Sequence, residues 1–156
     1  MKKLTYFTTP EGAPAPLEKS FFREVRFNEV DPMGILWHGY YVSYFEDARC
    51  ALGDALGIGY QDFFDRGYTL PVRQMHVDYL APLRYKQRCE IKARLFYSEA
   101  LRLNYDFTIS DENGHVVARG YSVQLITDKT GNVLFARPDF YEQVCRRWKA
   151  GEIKLP

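Results

Sequence analysis

The sequence is poor in cysteine, and the few cysteines present are far apart. Cys50, Cys89 and Cys145 are odd in number and lack the close paired spacing of zinc sites and disulfide frameworks. We therefore predict no metal site, and a reducing cytoplasm is the simplest location for the protein. Free cysteine is often a small buried residue, and we favour that interpretation over a nucleophilic role for each of the three.

Long apolar runs and a strong excess of one charge are also missing. No stretch approaches the roughly 20 apolar residues that span a bilayer, and residues 1–16 lack the apolar core of a secretory signal. Lys and Arg number 21 against 20 acidic residues, so the overall charge indicates neither nucleic acid nor an anionic membrane as a partner. There is no internal repeat and no glycine-rich phosphate loop, which argues against parallel nucleotide-binding folds.

Aromatic and aliphatic residues are abundant instead. The chain has 156 residues, of which 46% are hydrophobic and 16% aromatic, enough for one packed domain. Prolines concentrate near the start, where they disfavour regular structure. We predict an irregular arm over residues 1–20, one domain over residues 21–145 and a tail over residues 146–156.

The pattern of apolar residues predicts one long helix and several strands. Between Gly39 and Leu56, apolar side chains recur at three- and four-residue steps, which is typical of an amphipathic helix. Alternating apolar and polar residues predict strands over Phe21–Phe27, Leu70–Leu80, Cys89–Tyr97, Leu101–Ile109 and Val116–Thr127. A short helix over Phe140–Lys149 would close the chain. This order indicates an α+β fold in which antiparallel strands pack on the long helix.

The segment most informative about function lies between the first strand and the long helix. It reads Asp31-Pro32-Met33-Gly34-Ile35-Leu36-Trp37-His38, a carboxylate in a stiff turn followed by a helix start. The first N–H groups of a helix are unpaired and can stabilise an oxyanion. A nearby carboxylate can attack a carbonyl carbon or activate water, so the segment has the two parts that acyl transfer requires. From local pattern alone, an ordinary Asp-Pro turn is an equally good interpretation.

This motif, together with Tyr41, closely resembles the signature of the 4-hydroxybenzoyl-CoA thioesterase family and its relatives linked to the Tol–Pal system. The resemblance extends from Phe21 to Cys145 in the order of elements. It implies a hotdog fold, in which an antiparallel sheet of about five strands wraps around one long central helix. It also implies an acyl-CoA thioester hydrolase that needs no cofactor beyond the coenzyme A of its substrate. Because hotdog active sites lie between subunits, it implies a homodimer or homotetramer.

The resemblance assigns roles to individual residues. Asp31 corresponds to the catalytic aspartate, which acts as nucleophile or as general base. The backbone N–H of His38 corresponds to the oxyanion donor, and Gly39 shares that helix start; the His38 imidazole either orients substrate or water or is simply solvated. At position 29, where many relatives have a second aspartate, this chain has Glu29, which keeps the charge on a longer side chain.

Further residues are candidates for contacts with the substrate. Trp37 belongs to the motif itself, and Tyr41 either touches substrate or lies in the core. Some other hotdog thioesterases use a helix carboxylate, which makes Glu46 a candidate, although its spacing to Arg49 favours an ion pair. Basic residues that alternate after Pro82 either bind the phosphates of coenzyme A or are solvated; they are Arg84, Lys86 and Arg88. His76 and His115 are isolated and are predicted to be structural or exposed.

Two alternatives to acyl-CoA hydrolysis stay open. One is another hotdog enzyme, acting on thioesters of acyl carrier protein or as a dehydratase, for which His38 and Glu46 are a weak acid–base pair. The other is a non-catalytic acyl-binding module. Asp31 in its expected context argues against the second. The sequence does not determine the identity of the acyl group, because the aromatic segment from Tyr60 to Tyr68 suits either an aryl or an aliphatic group.

Overall fold

The longest helix, α1 (Tyr40–Leu56), packs against one face of the main sheet. The computed structural model describes residues 5–155. The apolar stripe of α1 is buried, as its periodicity predicts, and includes Tyr41, Tyr44, Phe45, Ala48, Leu52 and Leu56. Gly57 ends the helix in a left-handed conformation (φ +69°), which glycine adopts without steric cost.

The sheet has five strands: β1 (Leu17–Glu24), β3 (Val72–Tyr79), β4 (Arg88–Phe96), β5 (Arg102–Asp111) and β6 (Val116–Leu125). Their order is β1-β4-β5-β6-β3, and each neighbouring pair is antiparallel. A small pair joins β2 (Tyr68–Thr69) to β7 (Thr127–Asp128), and two shorter helices, α2 (Tyr60–Asp65) and α3 (Asp139–Lys149), complete the domain. The predicted α+β arrangement of about five antiparallel strands around one helix is confirmed.

Close contact between α1 and the sheet depends on one glycine. The ring of Phe45 stacks on Phe107 with centroids 4.7 Å apart. A Cβ at Gly120 would lie 2.4 Å from the Phe45 ring and 2.3 Å from the carbonyl oxygen of His76. The absence of a side chain at this point in β6 therefore lets the helix approach the sheet.

The outer face of the sheet is partly covered by the N-terminal arm. Phe7 is buried between Phe96 and Tyr121, with ring centroids 5.7 Å and 4.9 Å away. Near the other end of the chain, the indole N–H of Trp148 donates to the carbonyl of Ala15 at 2.8 Å. The arm and α3 are thus packed onto the domain. None of the helices in the described ranges is long and apolar enough to cross a membrane.

Several predicted boundaries differ from those of the structure. β1 starts at Leu17, inside the predicted arm, because Leu17 pairs with Leu95 of β4. The strand predicted to reach Phe27 ends at Glu24, and Phe27 lies in a short 3-10 turn with its ring 77% exposed. Helix α3 crosses the predicted boundary at 145/146. Residues 1–4 of the predicted arm and residue 156 of the predicted tail lie outside the described residues.

The aromatic segment after α1 contains helix α2, for which the sequence pattern predicts no helix. Gly59 precedes it, and its N–H donates to the carboxylate of Asp62 at 2.9 Å. Phe63 is fully buried by this turn of helix. Six residues are too few for a helical period to be recognised in the sequence.

Candidate active site

Asp31 opens a tight turn between β1 and α1. The N–H of Gly34 donates to the carbonyl of Asp31 (2.9 Å), and the N–H of Asp31 donates to the carbonyl of Ile35 (2.9 Å). The side chain joins the same turn, because its Oδ1 accepts the N–H of Met33 at 2.8 Å. Within residues 5–155 no donor contacts the other carboxylate oxygen, Oδ2. The turn therefore fixes the carboxylate through one oxygen and leaves the second available.

Backbone hydrogen bonds fix this segment, which we call the Asp31 loop (residues 29–37). The N–H of Trp37 donates to the carbonyl of Glu29 at 2.9 Å, which closes the loop on itself. The N–H of Leu36 donates to the carbonyl of Leu83 at 2.8 Å, which ties the loop to the segment before β4. The position of Asp31 relative to the start of α1 is therefore determined by backbone structure.

α1 begins directly after the loop, and its first N–H groups are available. Among the described residues, no acceptor is found for the backbone N–H of His38 or of Gly39. The carbonyl of His38 accepts the hydroxyl of Tyr79 at 2.9 Å, which fixes the orientation of the peptide between His38 and Gly39. Free N–H groups at the positive end of a helix are suited to a developing negative charge.

The indole of Trp37 forms an aromatic wall over this helix start. A Cβ at Gly39 would meet carbons of the indole at 2.0–2.6 Å, so the ring lies on the bare backbone. Its centroid is 4.8 Å from that of the His38 imidazole and 5.9 Å from that of the Tyr40 ring. Trp37 is 47% exposed, and contact with substrate stays a prediction for it.

Glu29 is buried beneath the loop and anchors it. Its Oε2 accepts the N–H of Arg26 (2.9 Å) and the hydroxyl of Tyr44 (2.7 Å), and its Oε1 accepts the guanidinium of Arg23 (2.5 Å). Burial would raise the pKa of Glu29, but these hydrogen bonds and the positive charge of Arg23 outweigh it and lower the pKa. Arg23 also pairs with Asp47 of α1. With both oxygens engaged, Glu29 holds the loop and offers no second reactive carboxylate.

The three basic candidates lie along the segment that borders the Asp31 loop. Arg84 forms an antiparallel backbone bridge with Ile35. All three side chains are exposed, and that of Arg88 lies 3.9 Å from the carboxylate of Glu24. Arg84 and Lys86 form no ion pair with any carboxylate in the described part of the chain. Arg84 thus borders the loop, Lys86 lies 5.5 Å over the ring of Tyr85, and phosphate binding stays a prediction for all three.

The two remaining candidates lie on α1. The carboxylate of Glu46 is 54% exposed and 3.8 Å from the guanidinium of Arg49, so the expected helical ion pair is present. Tyr41 is 3% exposed, and its ring meets that of Tyr79 edge-on at 5.1 Å. Of the two roles considered for Tyr41, the structure favours the core.

The cysteines are structural in character. All three are free, and Cys89 and Cys145 are buried. Burial raises the pKa of Cys89 to about 11 and also raises the pKa of Cys145 and of Cys50. A thiol with a raised pKa is protonated at neutral pH and is a poor nucleophile, which agrees with the interpretation favoured from the sequence.

The isolated histidines lie outside the loop. His76 is on β3, with its Nε2 2.9 Å from the carboxylate of Asp78, and His115 is exposed at the turn between β5 and β6. No group of three or more His, Cys, Asp or Glu side chains within residues 5–155 is arranged to hold a metal ion. The independence from metal stays a prediction.

Sequence reasoning missed the residues that support the site. Tyr79 ends a strand without any motif, and its contact with His38 spans 41 positions of sequence. Tyr44 falls in the apolar stripe of α1, so the pattern indicated only a core role. Arg23 carried no signal, because a charged residue in an alternating strand is expected to face solvent.

Comparisons with known proteins identify the family of the chain. A sequence model of the Thioesterase-like superfamily matches residues 25–147. The chain is 29% identical over 106 residues to a protein from Bacillus subtilis described as the putative acyl-CoA thioesterase YneP, covering 68% of this chain and 77% of that one. It is 31% identical over 107 residues to a 1,4-dihydroxy-2-naphthoyl-CoA hydrolase from Synechococcus elongatus, covering 67% of this chain and 78% of the relative.

A plastid relative and solved structures extend the comparison. The match to the acyl-acyl carrier protein thioesterase ATL3 of Arabidopsis thaliana has 26% identity and covers 65% of this chain but only 55% of that protein. The structure of a DHNA-CoA thioesterase from Staphylococcus aureus superposes with a TM-score of 0.73 at 26% identity, covering 88% of this chain and 97% of that chain. A second protein from that organism, SAV2348, solved with CoA, has the same fold, with a TM-score of 0.76 at 14% identity and coverage of 91% and 90%.

The superfamily match covers more than half of the chain, and the fold superposes on that of a solved thioesterase. The chain therefore belongs to the Thioesterase-like superfamily, as a thioester hydrolase with the hotdog fold.

Proposed function

We propose that the protein hydrolyses acyl-CoA thioesters, with Asp31 as the catalytic carboxylate. The observation that carries this proposal is the pairing of two features, one in the Asp31 loop and one at the helix start directly after it. Asp31 has one carboxylate oxygen without a partner in the described chain, and the N–H groups of His38 and Gly39 have no acceptor there. An attacking or base group beside two unpaired donors is the arrangement that acyl transfer needs.

The chemistry follows from the positions of these groups. The thioester carbonyl oxygen accepts the N–H groups of His38 and Gly39, which makes the carbonyl carbon more electrophilic. Asp31 then attacks this carbon or removes a proton from an attacking water, and the tetrahedral oxyanion is stabilised by the same donors and by the helix dipole. If Asp31 attacks, the carbon–sulfur bond breaks, the thiolate leaves and takes a proton from water, and a second water hydrolyses the resulting acyl–Asp31 anhydride to the free acid. If Asp31 acts as base, the carbon–sulfur bond of the tetrahedral intermediate breaks, and the thiol leaves with the proton that Asp31 removed from the water.

Coenzyme A is the favoured carrier of the acyl group because of the charges beside the loop. Arg84 and Lys86 are exposed and have no carboxylate partner in the described residues, and such cations suit phosphate groups. Relatives are described both as acyl-CoA and as acyl carrier protein thioesterases. The carrier protein is therefore the second candidate, and it is distinguished by direct comparison of the two kinds of substrate.

We further propose that the active protein is at least a homodimer. β3 lies at one edge of the sheet, where one row of its backbone N–H and C=O groups has no neighbouring strand among residues 5–155. Exposed apolar side chains on and next to β3, Val72, Tyr79 and Leu80, would be covered by a second copy. Tyr79 also contacts His38, so this edge borders the proposed site.

The activity is tested by thiol release from a panel of aryl, branched, short and long acyl-CoAs, with the same acyl groups on acyl carrier protein as a second arm. We expect hydrolysis of at least one acyl-CoA and its loss in Asp31→Asn. If only the substrates on acyl carrier protein are hydrolysed, then acyl carrier protein, and not coenzyme A, carries the acyl group. If no thiol is released in either arm, thioester hydrolysis by this chain is refuted and a binding role is favoured.

A further inference from the structure

A cavity lies on the face of the sheet that is turned away from α1. It has a volume of about 490 Å³ and is formed by residues 6–13 of the N-terminal arm, the turn between β4 and β5, the start of β5 and the end of α3. Successive residues of a strand point to opposite faces of its sheet. Phe107 of β5 stacks on Phe45 of α1, so Arg102 and Asn104 of the same strand face the other side, where both line the cavity.

This cavity is separate from the proposed catalytic site. Asn104 pairs with Val123, and Val123 pairs with Gln74 near the start of β3. Tyr79, which contacts His38, is about 17 Å further along that strand, at about 3.3 Å for each residue after Gln74. The cavity therefore lies on the opposite face and toward the opposite end of the sheet, and the proposed hydrolysis assigns no task to it.

Asn104 is buried in the wall of the cavity without a hydrogen-bond partner for its side chain. The residue is 1% exposed, and its amide has no partner within residues 5–155. It lies in one cross-strand row with Phe96 and Val123, which pack with Phe7 in an apolar cluster. An unpaired amide in such surroundings costs stability, and an apolar side chain of the same size would avoid that cost. A polar residue at this point therefore indicates a ligand.

Arg102 provides a second set of unpaired donors in the same wall. Its side chain forms no hydrogen bond or ion pair with the residues that the structure describes, and its Nε is buried. The guanidinium lies over the ring of Tyr6, 3.8 Å from the ring centroid, which holds it against the arm. The other cation that lines the cavity, Lys149, is paired with Glu99 at 2.9 Å. The positive charge of Arg102 thus has no balancing carboxylate within the described ranges.

The charges around the cavity favour a ligand with a single negative charge. The buried atom of the Asn104 amide is Oδ1, which leaves the N–H groups of Nδ2 for the cavity. These N–H groups and the guanidinium of Arg102 all donate, so they suit a carboxylate, which accepts a guanidinium through two parallel hydrogen bonds. Glu11 and Glu99 also line the cavity, and their charges would repel the second negative charge of a phosphate.

We propose that this cavity binds a small organic monocarboxylate. The carboxylate accepts hydrogen bonds from Arg102 and Asn104, and the aryl or alkyl body of the acid lies against Tyr6 and Tyr97, whose rings line the same space. The volume is within the range of pockets that hold small organic ligands. A bound acid contacts both the arm and the sheet, so it stabilises the folded protein. This site is independent of thioester hydrolysis.

The test is calorimetric titration of the whole protein at pH 7 with 2-naphthoate, octanoate and inorganic phosphate. We expect saturable binding of at least one of the two carboxylates and weaker binding of phosphate. Arg102→Gln and Asn104→Leu should each weaken the binding of that carboxylate at least about tenfold. Arg119→Gln is the matched control and should leave the affinity unchanged. Arg119 is an exposed cation of β6 that also has no ion pair with the described residues, but it does not line the cavity.

Asn104→Leu also separates binding from folding. Leucine is close to asparagine in size and removes a buried unpaired amide, so the variant should be at least as stable to urea as the wild type while it loses affinity for the acid. The acid should raise the midpoint of thermal unfolding of the wild type and have a smaller effect on Asn104→Leu. A stable Asn104→Leu variant that retains wild-type affinity would show that the amide does not bind the acid, and the inference would fail.

Other results of the titrations would also overturn the inference. If neither carboxylate binds saturably up to about 10 mM, the cavity has no such ligand. Tighter binding of phosphate than of both carboxylates would contradict the assigned ligand class. Unchanged affinity in Arg102→Gln would place the bound acid elsewhere on the protein. Because release of thiol is not measured in these titrations, their outcome does not depend on whether the proposed hydrolysis holds.

Discussion

Two carboxylates, two positions apart in sequence, have opposite environments in this protein. Glu29 is 3% exposed, and its oxygens accept hydrogen bonds from backbone, tyrosine and arginine donors. Asp31 is half-buried, and its carboxylate accepts only the N–H of Met33 among the described residues. The loop therefore uses one carboxylate for structure and leaves the other for chemistry. This division explains how position 29 accommodates a glutamate, which is longer than the aspartate that many relatives have there.

At the residue scale, Arg84 and Lys86 provide a test of how the carrier is recognised. We expect the double variant Arg84→Ala/Lys86→Ala to raise KM for acyl-CoA about five- to twentyfold, because charge-assisted contacts with phosphate are lost. Since these contacts are the same in ground and transition states, kcat should change little. Initial rates with acyl-CoA and with an acyl-pantetheine, which lacks the nucleotide phosphates, measure the effect. An equal rise of KM for both substrates would contradict a phosphate contact.

The turn at Asp31 and the helix start after it were predicted from the sequence because their signal is local. Asp31, the turn after it and the helix start lie within nine residues, and the helix period and the turn chemistry are readable there. Tyr79 and Arg23 were not predicted, because their contacts join strands that are distant in sequence. The buried partnership of Arg49 with Tyr60 was missed for the same reason, and only its pairing with Glu46 was foreseen.

At the element scale, the Glu29 anchor connects β1, the Asp31 loop and α1. We expect Glu29→Gln to lower the free energy of unfolding at pH 7 by about 2–3 kcal/mol, because Arg23 loses a buried charged partner. Urea unfolding measures the change. Glu24→Gln is the matched control, since that carboxylate is 54% exposed and 3.9 Å from Arg88, and it should cost less than about 0.5 kcal/mol.

The pH dependence of the same variant has a defined sign. The folded-state pKa of Glu29 lies below its ordinary value. Ionised Glu29 therefore stabilises the fold above the unfolded-state pKa of about 4.3, and this stabilisation is lost as the pH falls through the lower folded-state pKa. The difference in free energy of unfolding between wild type and Glu29→Gln should shrink below about pH 4. A difference that stays constant from pH 7 to pH 3 would contradict the anchor.

The packing of α1 on the sheet is tested at Gly120. Because a Cβ there would meet both the backbone of β3 and the ring of Phe45, we expect Gly120→Ala to lower the free energy of unfolding by about 1–3 kcal/mol. Arg119→Ala, at the exposed neighbouring position of β6, should have an effect within about 0.5 kcal/mol. Thermal and urea unfolding of both variants measure the effect. Equal stability of the two variants would mean that α1 and the sheet accommodate the added Cβ without a loss in the free energy of unfolding.

Elements with a long repeating pattern were predicted well, and their ends less well. The alternation in β4 and β5 and the stripe of α1 follow from burial of one face, so the sequence specifies them directly. The start of β1 depends on pairing with β4, and α2 depends on burial of Phe63, neither of which is visible locally.

At the scale of the whole molecule, the site borders the unpaired edge strand β3. We expect sedimentation equilibrium to give a mass of at least twice the 18.3 kDa of the chain, and the specific activity to fall on dilution below the dissociation constant of the dimer. A fully active monomer would contradict the proposal that a second copy covers β3.

We propose that the free carboxylate oxygen of Asp31 performs the chemistry. The most direct measurement is kcat/KM of Asp31→Asn and of Asp111→Asn with the best acyl-CoA of the panel. The two aspartates are matched, because each accepts the N–H two residues ahead, at 2.8 Å in Asp31 and 2.9 Å in Asp111. We predict a loss of at least about a thousandfold in Asp31→Asn and near-wild-type activity in Asp111→Asn. Retained hydrolysis by a folded Asp31→Asn would contradict the account.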